Sequence, residues 1–320
     1  MKIAAPVIST DEGELLRHSL PTLLDQADGV EVVVLDNASG DSTAQVAEEL
    51  GVRCVRLPER HNFCRAMNVG LREVKGDAVL FMQPDTFLMP GFLERAGAAL
   101  AEPHVGVVAP KLLRTEGPLP EQRLDAIDAA GMVVDRRRKN GLVGHGRPGL
   151  AYDERCEVFG ADGAVALYRR EALDQAAAAG DVFDEDLAAW GSDADLAWRV
   201  RLLGWRCIYE PAAVAYHVRT YSPSTRSRMP EWDRMVQFRN RYLMIAKNDP
   251  LPALLRDLPR IAAYELLALG FALLRERHLL RGYAEAALLL PTMLHRRREL
   301  QRRRRALGAP APPYGLEAPA

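Results

Sequence analysis

Short apolar runs alternate with helically spaced segments through the first hundred residues, and this alternation limits the fold more than any single motif. Ile3 to Ile8, Val32 to Leu35, Arg53 to Leu57 and Ala78 to Met82 read as strands, the third weaker than the others. Between them, Asp11 to Leu24 sets Leu15, Leu16, Leu20 and Leu24 on or near one helical face. Ser42 can cap a helix carrying Val46 and Leu50, closed by Gly51, and Phe63 to Val74 reads as a helix ended by Gly76. Val105 to Ala109 follows one more helix. Such a pattern predicts an α/β fold, a mostly parallel sheet with helices on both faces. In these sheets ligands sit beyond the carboxyl ends of the strands. The residues that end strands are therefore the first candidates for function, although a fold alone fixes none.

Composition narrows the classes. The chain has 320 residues, 48% hydrophobic and 27% charged, with a net charge of −1. That describes a globular protein large enough for one big domain with an appendage, or for two domains. It carries no global attraction to nucleic acid. Cys54, Cys64, Cys156 and Cys207 are scattered without a CxxC pair, so neither a zinc site nor a disulfide framework is expected. The opening "MKIAAPVIST" turns polar too soon for a signal peptide, and the catalytic part is expected in the cytoplasm.

Four positions carry chemistry. In "VVVLDNASGDST" the strand ends on Asp36, an acid that can accept hydrogen bonds from a nucleobase or ribose; taken alone, the stretch reads first as a strand–turn–helix corner with a capping Asp. After "AVLFM" comes Gln83-Pro84-Asp85. Hard divalent cations prefer oxygen, and Mg²⁺ commonly takes one or two carboxylates plus substrate phosphates, so Asp85 is a candidate ligand in what is otherwise an ordinary turn. In "WGSDADLAWRVRLLGW", Leu196, Val200 and Leu203 recur at helical spacing and put Asp193 and Asp195 in the first turn. Ser192 and Asp195 fit a capping-box pattern, while Asp193 pointing into a cleft would serve as a general base. His217, after "RCIYEPAAVAY", is either a packed histidine or a neutral imidazole completing a Mn²⁺-type site with Asp85.

Taken in order, "VLDNASGDST", "NFCRAMNVGLREVKGDAVLFMQPDT", "APKLL", "FGADGAVALYRREAL", "FDEDLAAWGSDADLAWRVRLLGW" and "AVAYH" resemble glycosyltransferase family 2, over roughly residues 1–245. The nearest flavour is its bacterial rhamnosyltransferase-like branch, which builds cell-surface polysaccharides. The resemblance implies an inverting enzyme of the GT-A fold that uses a nucleotide-sugar donor, a divalent metal (Mg²⁺ or Mn²⁺), and a glycan or lipid-linked acceptor. By the same resemblance Asp36 reads the nucleotide base, Asp85 is the last acid of the metal-binding triplet, Asp193 is the catalytic base, and His217 approaches the metal. Asn68 and Gly70 match an N-x-G that shapes the donor pocket, and Arg199 matches an arginine that is structural or phosphate-facing. Lys111 and Arg169 are weaker positional matches. Three departures stand out: Gln83 replaces the triplet's first acid or amide, Ser192 replaces an acid beside the base, and Ser9-Thr10-Asp11 replaces a Tyr-Asn strand ending. A sugar nucleotidyltransferase would carry a Gly-rich basic loop after the first strand, which "PVISTDEGELL" lacks; a catalytically silent scaffold remains the other alternative.

Beyond the catalytic domain, residues 246–305 read as a helical extension and 306–320 as a disordered end. Ile261 to Leu274 is apolar apart from Glu265, yet short of the about 20 residues a spanning helix needs. Ala284 to Leu294 is a second apolar piece, broken by Pro291 and followed by Arg296 to Arg298 and Arg302 to Arg305. Apolar helices beside such a cluster suit an anionic membrane surface, which places the protein peripherally on the cytoplasmic face; a helical lid or dimer face is the alternative. The arginines lack aromatic interleaving, so nucleic acid is not expected.

Overall fold

The structure is a computed structural model, and it describes residues 1–316 except 27, 179, 223 and 224. Its first half follows the alternation closely: β1 (Ile3–Ser9), α1 (Gly13–Leu24), β2 (Glu31–Asp36), α2 (Thr43–Glu49), β3 (Arg53–Arg56), α3 (Phe63–Glu73), β4 (Ala78–Met82), β5 (Thr86–Leu88) and α4 (Phe92–Leu100). Then come β6 (Val105–Thr115), β7 (Arg123–Ala129), β8 (Met132–Val134), β9 (Asn140–Leu142), β10 (Cys156–Val158), β11 (Val165–Arg169), α5 (Arg170–Ala176), α6 (Ser192–Leu202) and β12 (Arg206–His217). Three long helices finish the chain: α7 (Glu231–Asn248), α8 (Leu251–Leu274) and α9 (Leu280–Ala306).

The main sheet runs β10-β12-β6-β11-β4-β1-β2-β3, with β5 on β12 and β7 on β6. Strands β4, β1, β2 and β3 are parallel, as the βα alternation requires, and β12 lies parallel to β6. Between these two parallel blocks β11 is inserted antiparallel to both β4 and β6. The fold is a GT-A-type α/β sandwich with a C-terminal helical region, as expected. A bulge between Glu210 and Val214 bends β12, so its last residues pair with Lys111 to Arg114 and with β5. His217 thereby arrives opposite Thr86, next to the end of β4.

Both faces of the sheet are filled. Leu16, Leu20, Leu23, Val46 and Phe92 pack on one side with Val7, Val34 and Leu80; Leu71, Phe81, Phe159, Trp198 and Tyr209 pack on the other. Gly160 is needed where α6 crosses the strand-preceding loop, because a Cβ there would lie 2.5 Å from the Ala197 Cβ. Two caps differ from the sequence expectation. Ser42 makes no side-chain cap; the neighbouring Asp41 takes that role, accepting from the Thr43 N–H at 3.0 Å and from the Gly13 N–H at 2.7 Å. Ser192 and Asp195 form no capping box, because the Asp195 carboxylate turns inward to buried cations, and Gly191, at φ 83°, starts the helix instead.

The chain's end also corrects expectation. Tyr314 stacks on Phe159, meets Trp198 edge-to-face, lies 3.7 Å beneath the Arg138 guanidinium and donates to Asp249 at 2.7 Å. An aromatic side chain with a buried pocket to fill outweighs the loose Pro/Ala composition around it. Residues 317–320 of that expected disordered end lie outside the described residues.

Candidate active site

The carboxyl ends of β1, β2 and β4 form one rim. At β2, Asp36 is 1% exposed; its Oδ1 accepts from the Ser39 N–H at 2.7 Å and its Oδ2 faces Arg56 Nε at 3.4 Å. Its contacts are to its own loop, so the described conformation presents no free carboxylate edge to a nucleobase. Asn37 braces the same loop, donating to Thr10 Oγ1 and to the His61 carbonyl, both at 3.0 Å. The unusual Ser9-Thr10-Asp11 ending is thus held in place: Ser9 and Thr43 hydroxyls lie 3.1 Å apart, and Asp11 accepts from the Gly40 N–H at 2.7 Å.

At β4, the Asp85 backbone carbonyl accepts from the Val218 N–H at 3.0 Å, which ties the turn to the end of β12. Asp85 Oδ2 lies 3.3 Å from His217 Nε2, while its Oδ1 is buried with no hydrogen-bond partner. A buried carboxylate oxygen without a donor is costly and calls for an occupant. The other His217 nitrogen, Nδ1, is 2.8 Å from Asp128 Oδ2. A carboxylate that fixes one imidazole nitrogen while the other faces an acidic ligand is the arrangement that orients metal-binding histidines. Burial works against a charged His217, but Asp85 and Asp128 outweigh it and push its pKa up to about 9. Glu12, at the start of α1, is pushed up to about 7 by burial and then by Asp85.

Spacing alone offers a second metal candidate, since ligand atoms of Asp128, Asp162 and His217 lie within 4.8 Å of one another. A cation already serves that pair of acids. Arg219 Nη2 donates to Asp128 Oδ2 at 2.7 Å and to Asp162 Oδ2 at 3.0 Å. The Asp128 carboxyl is held well below the usual range, because His217 and Arg219 overcome its burial. Asp85 with His217, and Asp128 behind the histidine, is the other candidate donor set for a divalent cation.

Asp193 sits in the first turn of α6, partly exposed, across from the loop that carries Asp162. Its Oδ2 accepts from the Gly163 N–H at 3.1 Å and its Oδ1 from the Ala194 N–H at 2.8 Å. Burial, and then the Asp162 charge, raise its pKa from 3.8 to about 6. Asp85, His217, Asp128, Arg219, Asp162 and Asp193 thus form one continuous electrostatic chain from the metal-type pair to the base-type acid.

Three residues expected at the donor site serve the scaffold instead. Asn68 is 2% exposed and ties α3 to the 181–187 loop, donating to the Phe183 carbonyl at 2.9 Å and accepting from the Phe183 N–H at 2.8 Å. Gly70 lets α3 approach β1, since a Cβ there would meet the Pro6 Cβ at 3.1 Å. Arg199 is buried, paired with Asp195 at 2.8 Å and donating to the Val182 carbonyl at 2.7 Å, so it faces no phosphate. Of the weaker matches, Lys111 pairs with Asp153 at 2.5 Å and Arg169 donates to the Val105 carbonyl at 2.9 Å. Asp195 anchors a buried network beneath the base: Lys247 Nζ lies 2.9 Å from it, Asn248 donates to it at 2.8 Å, and Lys247 also binds Asp184.

Asp128, Asp162 and Arg219 were not singled out in the sequence. Asp162 lies within the motif "FGADGAVALYRREAL", Arg219 two residues past His217, and Asp128 at an inward position of β7, where a buried acid is itself a signal.

Strand-end acids, an oriented histidine and a carboxylate at a helix start lie together on the carboxyl rim of a GT-A fold. The sequence pattern of glycosyl transferase family 2 matches residues 7–176, and this chain belongs to that family. It is similar to the pre-mycofactocin glycosyltransferase of Mycobacterium tuberculosis, 26% identical over 208 residues that cover 64% of this chain and 39% of the relative. The chain therefore spans well under half the length of that relative. Among solved structures, S. aureus TarS in complex with UDP-GlcNAc superposes with a TM-score of 0.59 at 18% identity, covering 96% of this chain and 90% of that one. The mannosyltransferase PcManGT from Pyrobaculum calidifontis, in complex with GDP-Man and Mn²⁺, gives 0.52 at 20% identity, covering 96% and 85%.

Proposed function

We propose that this chain is an inverting glycosyltransferase that moves a sugar from a nucleoside-diphosphate donor to a hydroxyl of a glycan or lipid-linked acceptor, in the synthesis of cell-surface polysaccharide. The observation that carries the reading is the pairing of His217 with Asp85, whose second oxygen is buried without a partner, linked through Asp128 and Arg219 to the acids around Asp193. Neighbours of the same fold that hold UDP-GlcNAc and GDP-Man support a nucleotide-sugar donor. Within that class we favour a deoxyhexose such as rhamnose, on the motif resemblance alone.

In this mechanism Asp193 removes the proton from the acceptor hydroxyl as its oxygen attacks the anomeric carbon. The nucleoside diphosphate leaves from the opposite face, so the configuration inverts. A carboxylate with its pKa near 6 is ionised at neutral pH yet basic enough to take that proton, which is the compromise general-base catalysis needs. Asp128 and Arg219 fix the His217 ring and the Asp162 carboxylate, and the buried Lys247–Asp195 pair fixes the helix that carries Asp193. Asp36 shapes the nucleoside wall through Ser39 and Arg56. A divalent cation, Mg²⁺ or Mn²⁺, held by Asp85 and His217, supplies neutralisation of charge on the departing diphosphate.

The test is donor hydrolysis and transfer with and without a divalent cation, with the product's anomeric configuration read by NMR. Cation-dependent turnover, an inverted anomer, and loss in Asp85→Ala are expected. A folded protein that turns over none of the dTDP-, UDP- or GDP-sugars offered would instead favour a silent scaffold.

A further inference from the structure

Helix α8 is nearly bare. Its buried positions are Ala253, Asp257, Ile261 and Ala272, a single stripe, while Leu266, Leu267 and Leu274 are 73%, 74% and 83% exposed. From residue 261 to 274 the one charged side chain, Glu265, turns inward to Arg241 and to the Tyr242 hydroxyl at 2.6 Å. At 100° per residue, the exposed side chains between Leu266 and Leu274 sweep an arc of about 200°. An open apolar groove of about 770 Å³, lined by Leu258, Ile261, Leu266, Leu269, Tyr242 and Tyr283, runs along the same helix. Soluble proteins rarely leave so large an apolar surface uncovered without a partner for it.

The charges around the patch identify the partner. Residues 251–306 carry twelve arginines and five acids. Each of those acids is already paired: Asp257 with Arg136, Arg138 and Arg256, Glu265 with Arg241, Glu276 with Arg226, Glu285 with Arg239 and Arg281, and Glu299 with Arg303. Exposed arginines bracket the apolar span, Arg256 and Arg260 before it, Arg275 and Arg277 after it. No helix among the described residues is long and apolar enough to cross a membrane.

From this we infer that α8 is the docking element for an anionic lipid surface, lying in the plane of the headgroups with Leu266, Leu267 and Phe271 among the acyl chains and the flanking arginines on lipid phosphates. A packed helix covers a stripe of roughly 100°. The arc on α8 is about twice that, and a fluid phase covers such a convex face where one partner helix does not. Two ends rimmed by exposed arginines, of which Arg256 alone is paired with an acid, are complementary to phosphate, and a second copy of the same basic face is repelled. Anchored this way, the chain meets a lipid-linked acceptor on a surface instead of in bulk solution. The inference adds an attachment site to the proposed function and does not require turnover.

The experiment is sedimentation of the full chain with vesicles of neutral phosphatidylcholine or of a phosphatidylcholine–phosphatidylglycerol mixture, compared with a Leu266→Glu, Leu267→Glu, Phe271→Glu variant. All three sites are exposed, so folding is retained, and circular dichroism checks it. At least tenfold stronger partition to the anionic vesicles is expected, falling at least tenfold in the variant. Wild-type protein left in the supernatant, or equal pelleting of the variant, overturns the inference. So does a doubling of mass without lipid that the variant abolishes, which would assign the face to a second copy. Neither result bears on transfer, because sedimentation reads lipid attachment alone.

Discussion

Replacing Asp193 by Asn keeps the side chain's size and its contact with the Gly163 N–H but removes the base. A positioned carboxylate contributes about 10²–10⁴ in rate, so transfer should fall by that factor, equivalent to about 3–5 kcal/mol of barrier. The wild-type pH profile carries a sharper signature. With a pKa of about 6, Asp193 is about one-tenth ionised at pH 5 and about nine-tenths at pH 7, whereas an aspartate at 3.8 is almost fully ionised at both. Single-turnover transfer should therefore rise nearly tenfold from pH 5 to pH 7 and then level, and the Asn variant should lose that limb. Stability moves the other way. A carboxyl whose folded pKa is raised favours folding while protonated, and that contribution is lost as pH climbs from 3.8 through 6. Thermal unfolding of Asp193→Asn at pH 7 should thus occur at or above the wild-type temperature, which separates lost chemistry from lost fold. Near-normal transfer in the variant, or a wild-type profile flat from pH 5 to 7, would refute the base assignment.

The surrounding residues make further expectations. Asp162→Asn removes a charge that raises the Asp193 pKa, so the acid limb of the pH–rate profile should shift below pH 6. Lys247→Met strips the cation from between Asp184 and Asp195, both buried, and should cost about 3–5 kcal/mol by urea denaturation. Gly160→Ala places a Cβ 2.5 Å from the Ala197 Cβ and should cost about 1–3 kcal/mol, unless α6 retreats and activity falls with it.

How far the sequence could be read follows from where each signal lies. The strands β1, β2 and β4 were visible because apolar runs, helical spacing and turn residues agree locally, and their terminal acids fell on one rim as a parallel sheet requires. Antiparallel β11 and the bend in β12 were not visible, since both are fixed by pairing across the sheet. Asp85, His217 and Asp193 are the candidates that the motifs carry, and the fold brings all three to the same side of the sheet. Asp128 and Asp162 escaped because their roles exist only once Arg219, 91 and 57 residues further on, reaches them. Arg199, read as structural or phosphate-facing, takes the structural alternative. It matched a motif and stands one helical turn after Asp195, yet that spacing marked a buried i,i+4 ion pair and not a ligand contact. Asn68 and Gly70 likewise make scaffold contacts, holding the 181–187 loop and admitting α3.

The central claim is that Asp85 and His217 hold a divalent cation against a nucleoside diphosphate. Thermal unfolding with dTDP, UDP or GDP, each with and without Mn²⁺ or Mg²⁺, in wild type and Asp85→Asn, tests it most directly. A ligand at 100 times its dissociation constant adds about 2.7 kcal/mol, a readily measured shift. The account predicts a rise in unfolding temperature for one nucleotide, only with the cation, and absent in Asp85→Asn; a shift independent of both cation and Asp85 would contradict it.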